Sequence, residues 1–251
     1  MSDLHLETHP SYNDFHLRIS ASNLALLGDI GHIADSKFFV WLEDRLRDYS
    51  IIYFLLGNHE PWHLSWKVAK AKVTAFAQKH RGRFIFLDQT RHDLTKDITV
   101  LGCTLFSDVT PKQDFAVESR LVDFKDILRW EVDDHNAAHE SDLRWLNEQV
   151  AQIEREEPKR KIVIFTHHSP TIDARASNPR YEGSEVLSAF VTDLANEPCW
   201  KAPMVKMWAF GHTHWNCDFI EDGKRVLANQ KGYKMFPKDT FNMIATYRLG
   251  E

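Results

Sequence analysis

The chain has 251 residues, 43% of them hydrophobic and 27% charged, and its formal net charge is −5. This composition is typical of a folded globular protein, and the negative charge argues against a surface that attracts nucleic acid or an anionic membrane. The three cysteines are too few and too scattered for a disulfide framework, no apolar run is long enough to span a membrane, and "MSDLHLE" is charged where a signal peptide is apolar. We therefore expect a single cytoplasmic domain over residues 1–251.

Short apolar runs and amphipathic segments alternate along the first half of the chain. The runs predict four strands, at 23–27, 51–56, 84–87 and 98–103. Between the first two strands, Asp35 or Ser36 can cap a helix that continues to Tyr49 with its apolar residues on one face. Apolar residues at helical spacing from Trp66 to Phe76 predict a second amphipathic helix.

The same alternation continues in the second half. Ser141 begins a predicted helix that Pro158 ends, and 184–194 is predicted as a further helix. Asp222-Gly223 predicts the turn of a hairpin over 217–228. Three more strands are predicted, at 161–166, 204–210 and 241–249. Strands interleaved with helices indicate an α/β fold.

Four of the predicted strands run directly into a short turn that carries Asp, Asn or His. These residues are Asp29 after the first strand, Asn58 and His59 after the second, His167 after 161–166, and His212 and His214 after 204–210. Side chains at the carboxyl ends of strands converge on one edge of a sheet. Together with Asp3 and His5 near the start of the chain, they predict a metal site. Imidazole with carboxylate suits Mn, Fe or Zn, whereas Mg alone would favour oxygen ligands.

The pattern resembles the calcineurin-like metallophosphoesterase superfamily, whose motifs are D-x-H, G-D-x-x, G-N-H-[DE], H and G-H-x-H. In this chain they read "DLH" at 3–5, "GDIG" at 28–31, "GNHE" at 57–60, His167 in "THHSP", and "GHTH" at 211–214. The stretches "LVDFKDI", "SNPRYEGSE" and "NQKGY" are similar to a small, cap-less branch. The resemblance implies a four-layer αββα sandwich of two mixed β-sheets flanked by helices, with a dinuclear metal site at the strand ends.

The resemblance also implies a role for each residue. It assigns one cation to Asp3, His5 and His214, a second to Asn58, His167 and His212, and the bridging carboxylate to Asp29. The cofactors are then two divalent or trivalent transition-metal ions, Mn, Fe or Zn. The implied reaction is hydrolysis of a phosphate ester by a hydroxide that both cations share, without a covalent intermediate. His59 resembles the non-ligand histidine of the superfamily, which protonates the leaving oxygen or stabilises the transition state; the alternative is a residue that only orients Asn58. If the strand continues, His168 should point to the other face, which favours His167 as the ligand.

Departures from the superfamily bear on the substrate. "GDIGHI" places His32 and Ile33 where serine/threonine phosphatases carry Asp and Arg, so we do not expect a protein phosphatase. With 31 basic and 36 acidic residues, the chain has no excess of positive charge for binding DNA, which argues against a nuclease. A small phosphomonoester or phosphodiester fits better, selected by a variable helical segment at 107–157. Four residues have two possible interpretations: they contact the substrate, or they are ordinary helix and loop residues. They are Asp123, Lys125, Arg180 and Tyr181.

Two alternatives stay open at this stage. A protein of this fold can serve as a metal-binding scaffold that acts through protein partners, or as a nuclease member. Metal content and hydrolysis of an aryl phosphate ester distinguish the enzyme from the scaffold. The sequence does not indicate an oligomeric state.

The position of the D-x-H pair adds one expectation about metal affinity. In the superfamily a strand precedes this pair, but here only Met1 and Ser2 precede Asp3. Either the native chain starts further upstream, or the pair is held only by metal and neighbouring loops. Without flanking hydrogen bonds, ordering the pair would cost about 1–2 kcal/mol per residue. The cation of Asp3, His5 and His214 should then be the weaker one and the first lost to a chelator.

Overall fold

The computed structural model describes residues 1–8, 12, 14–233, 235 and 239–249. Within these residues the strands are β1 (Asn23–Leu27), β2 (Ile51–Leu55), β3 (Phe84–Phe86), β4 (Thr90–Asp93), β5 (Ile98–Gly102), β6 (Lys161–Phe165), β7 (Val205–Phe210), β8 (Cys217–Glu221) and β9 (Lys224–Ala228). The α-helices are α1 (Ser36–Asp48), α2 (Trp66–Lys79), α3 (Asp114–Arg120), α4 (Asp123–Asp126), α5 (Val132–Glu156) and α6 (Pro198–Lys201).

The strands form two sheets. The smaller has the order β1-β2-β3, and both of its pairings are parallel. The larger has the order β4-β5-β6-β7-β9-β8, with a parallel centre and an antiparallel strand at each edge. Asp222 and Gly223 both have positive φ in the turn between β8 and β9, as a two-residue hairpin turn of this kind requires.

The side chains of successive strand residues explain the four layers, because they point to opposite faces of a sheet. Leu26 of β1 packs in a core with Leu42 of α1 and Val73 of α2. Its neighbour Leu27 packs in a second core that contains Val163 of β6, so this core lies between the sheets. On the far side of the larger sheet, the next residue of β6 packs with buried residues of α5. The expected αββα sandwich is therefore confirmed.

Each of the two helices predicted in the first half of the chain begins at a residue whose side chain caps it. The Asp35 side chain accepts a hydrogen bond from the backbone N–H of Lys37 at the start of α1. The Ser65 hydroxyl accepts one from Val68 at the start of α2. Each cap satisfies an amide that has no partner within its helix.

Helix α5 starts earlier than predicted. It begins at Val132 instead of Ser141, because Glu131 and Asp134 form a reciprocal capping box. The edge strand β4 was not predicted, since its residues "TRHD" are polar and show no apolar alternation.

Two predicted elements are wrong. The helix at 184–194 is only a 3-10 turn at Leu187–Ala189, since Val191 forms a parallel bridge with Ser169 that a helix would not allow. The strand at 241–249 is absent from the described residues of that segment. Instead, Asn229 holds this segment by exchanging two side-chain hydrogen bonds with the backbone of Asn242. Tertiary contacts override the local pattern at both places.

The start of the chain lies between the two sheets' loops and is fixed on both sides. The backbone N–H of Leu27 donates to Met1 O at 2.9 Å, and that of Asp3 donates to Gly28 O at 3.0 Å. On the other side, Ser2 N donates to Asn229 O at 3.2 Å. The prediction that Asp3 lacks flanking hydrogen bonds is therefore wrong, and with it the stated reason for a weaker cation at this position.

None of the helices in the part of the chain that the structure describes is long and apolar enough to cross a membrane.

Candidate metal centre

The structure brings the seven sequence-predicted metal residues together at the strand ends. Two groups have ligand atoms that all lie within 4.8 Å of one another: Asp3, His5 and His214, and Asp29, His167 and His212. Asp29, a member of the second group, also lies close to the first. Its Oδ1 is 3.4 Å from His167 Nε2, and its Oδ2 is 3.9 Å from His5 Nε2. One carboxylate therefore presents an oxygen to each group.

The donor atoms of the first group are arranged as a cation requires. His5 Nε2 lies 2.9 Å from His214 Nε2, and His214 Nε2 lies 3.2 Å from Asp3 Oδ1. Three electron-pair donors thus converge on one point, where a single proton cannot satisfy all of them. His5 and Asp3 are also fully buried, and burying such groups is costly unless a counter-charge accompanies them. The residues present fit a metal ion.

Hydrogen bonds in the second group leave specific nitrogen atoms free. His167 Nδ1 donates to Leu27 O at 2.8 Å, which leaves Nε2 as the electron-pair donor. That Nε2 lies 3.1 Å from Asn58 Oδ1. His212 Nε2 lies 3.3 Å from Ala189 O, which leaves Nδ1 to face a cation. The backbone thus selects the tautomer of both histidines.

Asn58 is oriented by Asp123, a residue that the sequence offered only as a possible substrate contact. Asn58 Nδ2 donates to Asp123 Oδ1 at 2.9 Å, so the amide oxygen is the atom left for a cation. Trp62 Nε1 donates to the same oxygen at 2.9 Å. Lys125, the neighbouring candidate, is exposed and donates instead to the backbone of Ser119.

Glycine and a buried glutamate keep room for the centre and hold its loops. A Cβ atom on Gly57 would lie 2.1 Å from Asp29 Oδ1, so a larger residue would displace the carboxylate. The Glu60 carboxylate accepts from the backbone N–H groups of Asp29, Ile30 and Gly57 at 2.7–2.9 Å. These three bonds join the loops that follow β1 and β2.

Five of the seven predicted metal residues have a left-handed backbone conformation. They are Asp3, His5, Asp29, His212 and His214, with φ between 47° and 67°. This conformation costs about 1–3 kcal/mol for a residue other than glycine and is found mainly at functional sites. All five lie in loops outside the strands, so the strained backbone is confined to the segments that carry the centre.

Comparison with known proteins gives the family. The model of the calcineurin-like phosphoesterase family matches residues 1–216 of the chain. The chain belongs to this family. As a calcineurin-like phosphoesterase, it is a metal-dependent phosphoric ester hydrolase, and family members typically bind two metal ions. The resemblance seen in the sequence is confirmed.

Two similar proteins show how far the likeness extends. The chain is 25% identical over 245 residues to an uncharacterised protein of Acanthamoeba polyphaga mimivirus, covering 88% of this chain and 82% of that protein. It also resembles the crystal structure of phosphopantetheinyl hydrolase from Mycobacterium tuberculosis, with a TM-score of 0.68 and 14% sequence identity over 94% of this chain and 89% of that one. The second likeness establishes a common fold.

In this calcineurin-like phosphoesterase, His59 lies beside the two groups and has its own partners. Its Nδ1 is 3.1 Å from Glu7 Oε1, and its Nε2 is 3.1 Å from the Tyr233 hydroxyl and 3.8 Å from Asp29 Oδ2. The ring stacks on Trp62 with 3.7 Å between centroids. Sequence reasoning missed Glu7, Tyr233 and this role of Trp62. Two signals were available: "GDIGHI" has His32 where serine/threonine phosphatases carry Asp, and "NQKGY", noted for its likeness to a small branch, ends at Tyr233.

The electrostatics of the centre favour positive charge. Burial alone would lower the pKa of His59, but the Asp29 and Glu7 carboxylates outweigh it and raise the pKa to about 9. Burial also opposes the charged form of His167, yet Asp29 raises the pKa of that ring to about 10. Burial instead lowers the pKa of His5 and His212. The Asp29 carboxylate, which favours the charged form of His59 and His167, would also attract a cation.

His168 lies outside the two ligand groups, although it is fully buried. Its ring centroid is 4.1 Å from that of His212 and 5.2 Å from that of Phe106. Burial lowers the pKa of His168 well below its usual value. Neither ring nitrogen has a hydrogen-bond partner among the residues that the structure describes.

A cavity of about 460 Å³ opens over the centre. Asp29, His59 and His212 of the centre line it. Its apolar wall is formed by Trp62, Leu121, Val122, Val186, Leu187 and Phe190, of which Trp62 stacks on His59 and Phe190 on His212. Arg180 and Tyr181, two of the sequence candidates for substrate contact, are exposed and also line it.

Metal removal should lower the melting temperature. Several residues of the centre have strained backbone, and electron-pair donors such as His5 Nε2 and His214 Nε2 face each other. A bound metal ion compensates for both costs, and the folded state without metal lacks this compensation. Saturation of one site at 100 times its Kd stabilises a protein by about 2.7 kcal/mol, which corresponds to roughly 5–10 °C at this chain length. Thermal melts of the metal-free and manganese-loaded protein measure this shift. His167→Ala is the matched control, since its melt should respond much less to manganese; equal melts of the wild type with and without metal would contradict the expectation.

Proposed function

We propose that the protein hydrolyses a small phosphomonoester or phosphodiester with two transition-metal ions, Mn, Fe or Zn. Asp3, His5 and His214 would hold one ion, Asn58, His167 and His212 the other, and Asp29 would bridge them. The observation that supports this most directly is the position of Asp29, with one oxygen toward each ligand group at the base of the cavity. Two such ions, when bound, stabilise charge on a phosphoryl group and lower the pKa of water.

His59 is the proposed general acid. Its Nε2 faces the cavity beside Asp29 and Tyr233, and its ring is fixed by stacking on Trp62. A proton held on this nitrogen can pass to the leaving oxygen of the ester. Tyr233 keeps the imidazole at this place in the cavity and can hydrogen-bond to an oxygen of the bound ester.

The apolar lining of the cavity favours a substrate whose organic part is partly apolar. Leu121 and Val122, which line the cavity, belong to the helical segment 107–157. Selecting the substrate is the role that we propose for this segment. A net charge of −5 gives no support to an extended polyanion such as nucleic acid as the substrate. The wall instead suits a compact ester with a hydrocarbon or aromatic group.

Reconstitution tests the proposed activity. Metal-free protein is loaded with Mn, Fe or Zn in turn, and its metal content is measured together with hydrolysis of aryl and alkyl phosphomonoesters and phosphodiesters. We expect two ions per chain and turnover of at least one ester class. Two bound ions without turnover of any ester, or tight binding of a protein partner with neither, would support a scaffold instead.

The apolar wall predicts how the rate depends on the ester. Each methylene that enters the wall contributes up to about 0.8 kcal/mol, so kcat/KM should rise up to about three- to fourfold per methylene along a series of alkyl phosphates. Leu121→Ser should flatten this rise. Val40→Ser, at a residue of α1 that is 60% exposed, is the control and should leave it unchanged. A series with no dependence on chain length would rule out the wall as a substrate contact.

A further inference from the structure

His59 lacks the sequence partner that its role calls for. His32 stands where serine/threonine phosphatases carry an Asp, and its ring centroid lies 6.2 Å from that of His59. Its Nε2 has no hydrogen-bond partner among the described residues, so His32 does not orient His59 through that nitrogen. A different residue must hold the imidazole.

Glu7 occupies the position next to both His5 and His59. It lies in the 3-10 turn Leu6–Thr8, directly after the D-x-H pair, and its side chain is 7% exposed. Its Oε1 is 3.1 Å from His5 Nδ1 and 3.1 Å from His59 Nδ1. One buried carboxylate oxygen thus contacts the same ring nitrogen of two histidines.

We propose that Glu7 is a positioning residue that keeps a proton on Nδ1 of both His5 and His59 and so fixes the orientation of the two rings together. By accepting a hydrogen bond from Nδ1–H of each ring, it leaves Nε2 of His5 directed at Asp3 and His214. The same bond directs Nε2 of His59 into the cavity. The metal ligand and the proposed general acid are therefore held by a single carboxylate.

A purely structural role for Glu7 does not account for the geometry. Burying a carboxylate costs several kcal/mol unless hydrogen bonds compensate for the lost hydration. The second oxygen, Oε2, is buried and has no hydrogen-bond partner among the described residues. Both hydrogen bonds at Oε1 are instead directed at His5 and His59 of the centre, while His32 Nε2 lies further away at 4.0 Å. This is the arrangement expected of a group that orients ligands.

The first test does not depend on activity. Protein with ¹⁵N-labelled histidine is loaded with diamagnetic zinc, and the ring nitrogen shifts give the tautomers of His5 and His59. We expect a proton on Nδ1 of both rings in the wild type, and loss of this preference at His59 in Glu7→Gln and Glu7→Ala. A wild-type His59 without a proton on Nδ1 would overturn the proposal. So would three zinc ions per chain with one lost in Glu7→Ala, since Glu7 would then be a ligand with His32 and His59.

The second test uses metal affinity and kinetics, and its kinetic part rests on the proposed function. Glu7→Ala should weaken one of the two ions, and Glu7→Gln, which keeps the shape, should lower kcat by about 10–100-fold at saturating metal with KM little changed. In a His59→Ala background Glu7→Gln should lower kcat less than twofold further, because both changes remove the same step. Equal factors in both backgrounds would overturn the proposal.

The control is Glu43→Gln, which removes an exposed carboxylate that pairs with Lys79 on the surface. It should change neither the tautomers nor kcat. Failure of the wild type to hydrolyse any ester would refute the proposed function, while the zinc-loaded tautomers would still decide the role of Glu7.

Discussion

Replacing Asp29 with asparagine should remove both cations and lower kcat/KM by about 10³-fold or more. Lewis-acid stabilisation by bound metal is worth several kcal/mol in the transition state, and each 1.36 kcal/mol is a factor of ten. Asp29 presents Oδ1 to His167 at 3.4 Å and Oδ2 to His5 at 3.9 Å. Asp3 also contacts both groups, but it reaches the second only through the backbone N–H of His212. Loss of the Asp29 carboxylate therefore affects both sites at once.

Asparagine tests charge and ligand ability while keeping the size of the side chain. One of the two oxygens becomes an NH₂ group, which cannot bind a cation, and the remaining oxygen is neutral. That oxygen can still accept the backbone N–H of His59, which donates to Asp29 Oδ1 at 2.9 Å. The loop after β1 also keeps its bonds to Glu60. We therefore expect the variant to fold, with the defect confined to the centre.

Metal analysis and steady-state kinetics on the same preparations check this result. The matched control is Asp218→Asn on β8, which removes a surface carboxylate paired with Arg225 at 2.6 Å. It should keep two ions and full activity. If Asp29→Asn retains both ions and loses less than tenfold in kcat/KM, Asp29 does not bridge the cations.

The residues that the sequence placed in the centre share one local signal. Asp29, Asn58 and His167 each follow a short apolar strand, and the structure confirms those strands at nearly the expected bounds. A parallel sheet brings the carboxyl ends of its strands to one edge, which groups Asp29 with Asn58 on the smaller sheet. His167 follows a strand of the larger sheet and joins them because the two sheets pack face to face. Local pattern therefore predicts which residues end the strands, and the packing of the sheets brings them together.

The residues that the sequence missed depend on contacts between distant parts of the chain. Tyr233 contacts His59 across 174 positions, and Glu7 reaches it across 52. No periodicity in either segment indicates such a pairing. The same holds for the start of the chain, where Ser2 bonds to Asn229 and forms a bridge with Gln230. Local patterns can predict strands and their ends, but not which loop from elsewhere completes a site.

Replacing His59 with alanine should leave two ions bound and lower kcat by about 10²–10⁴-fold, the usual effect of removing a positioned acid or base. His59 Nε2 lies 3.8 Å from Asp29 Oδ2, which is longer than a hydrogen bond, so the ring stands beside this carboxylate without bonding to it. Its two shorter contacts are to Glu7 and Tyr233. The imidazole is therefore held by protein groups and does not need a cation to fix it.

The dependence on the leaving group identifies the role of His59. If His59 protonates the leaving oxygen, His59→Ala should be most impaired on alkyl phosphates, whose leaving alkoxides need a proton, and least on aryl esters with acidic phenols. His16→Ala, at an exposed histidine, is the control and should leave kcat for both ester classes unchanged. Because His5, Asp29 and His59 also have ligand atoms within 4.8 Å of one another, metal content must be measured on the same samples. A variant that loses an ion would make His59 a metal ligand, whereas an equal loss of kcat on both ester classes with two ions bound would assign it to transition-state stabilisation instead of proton transfer.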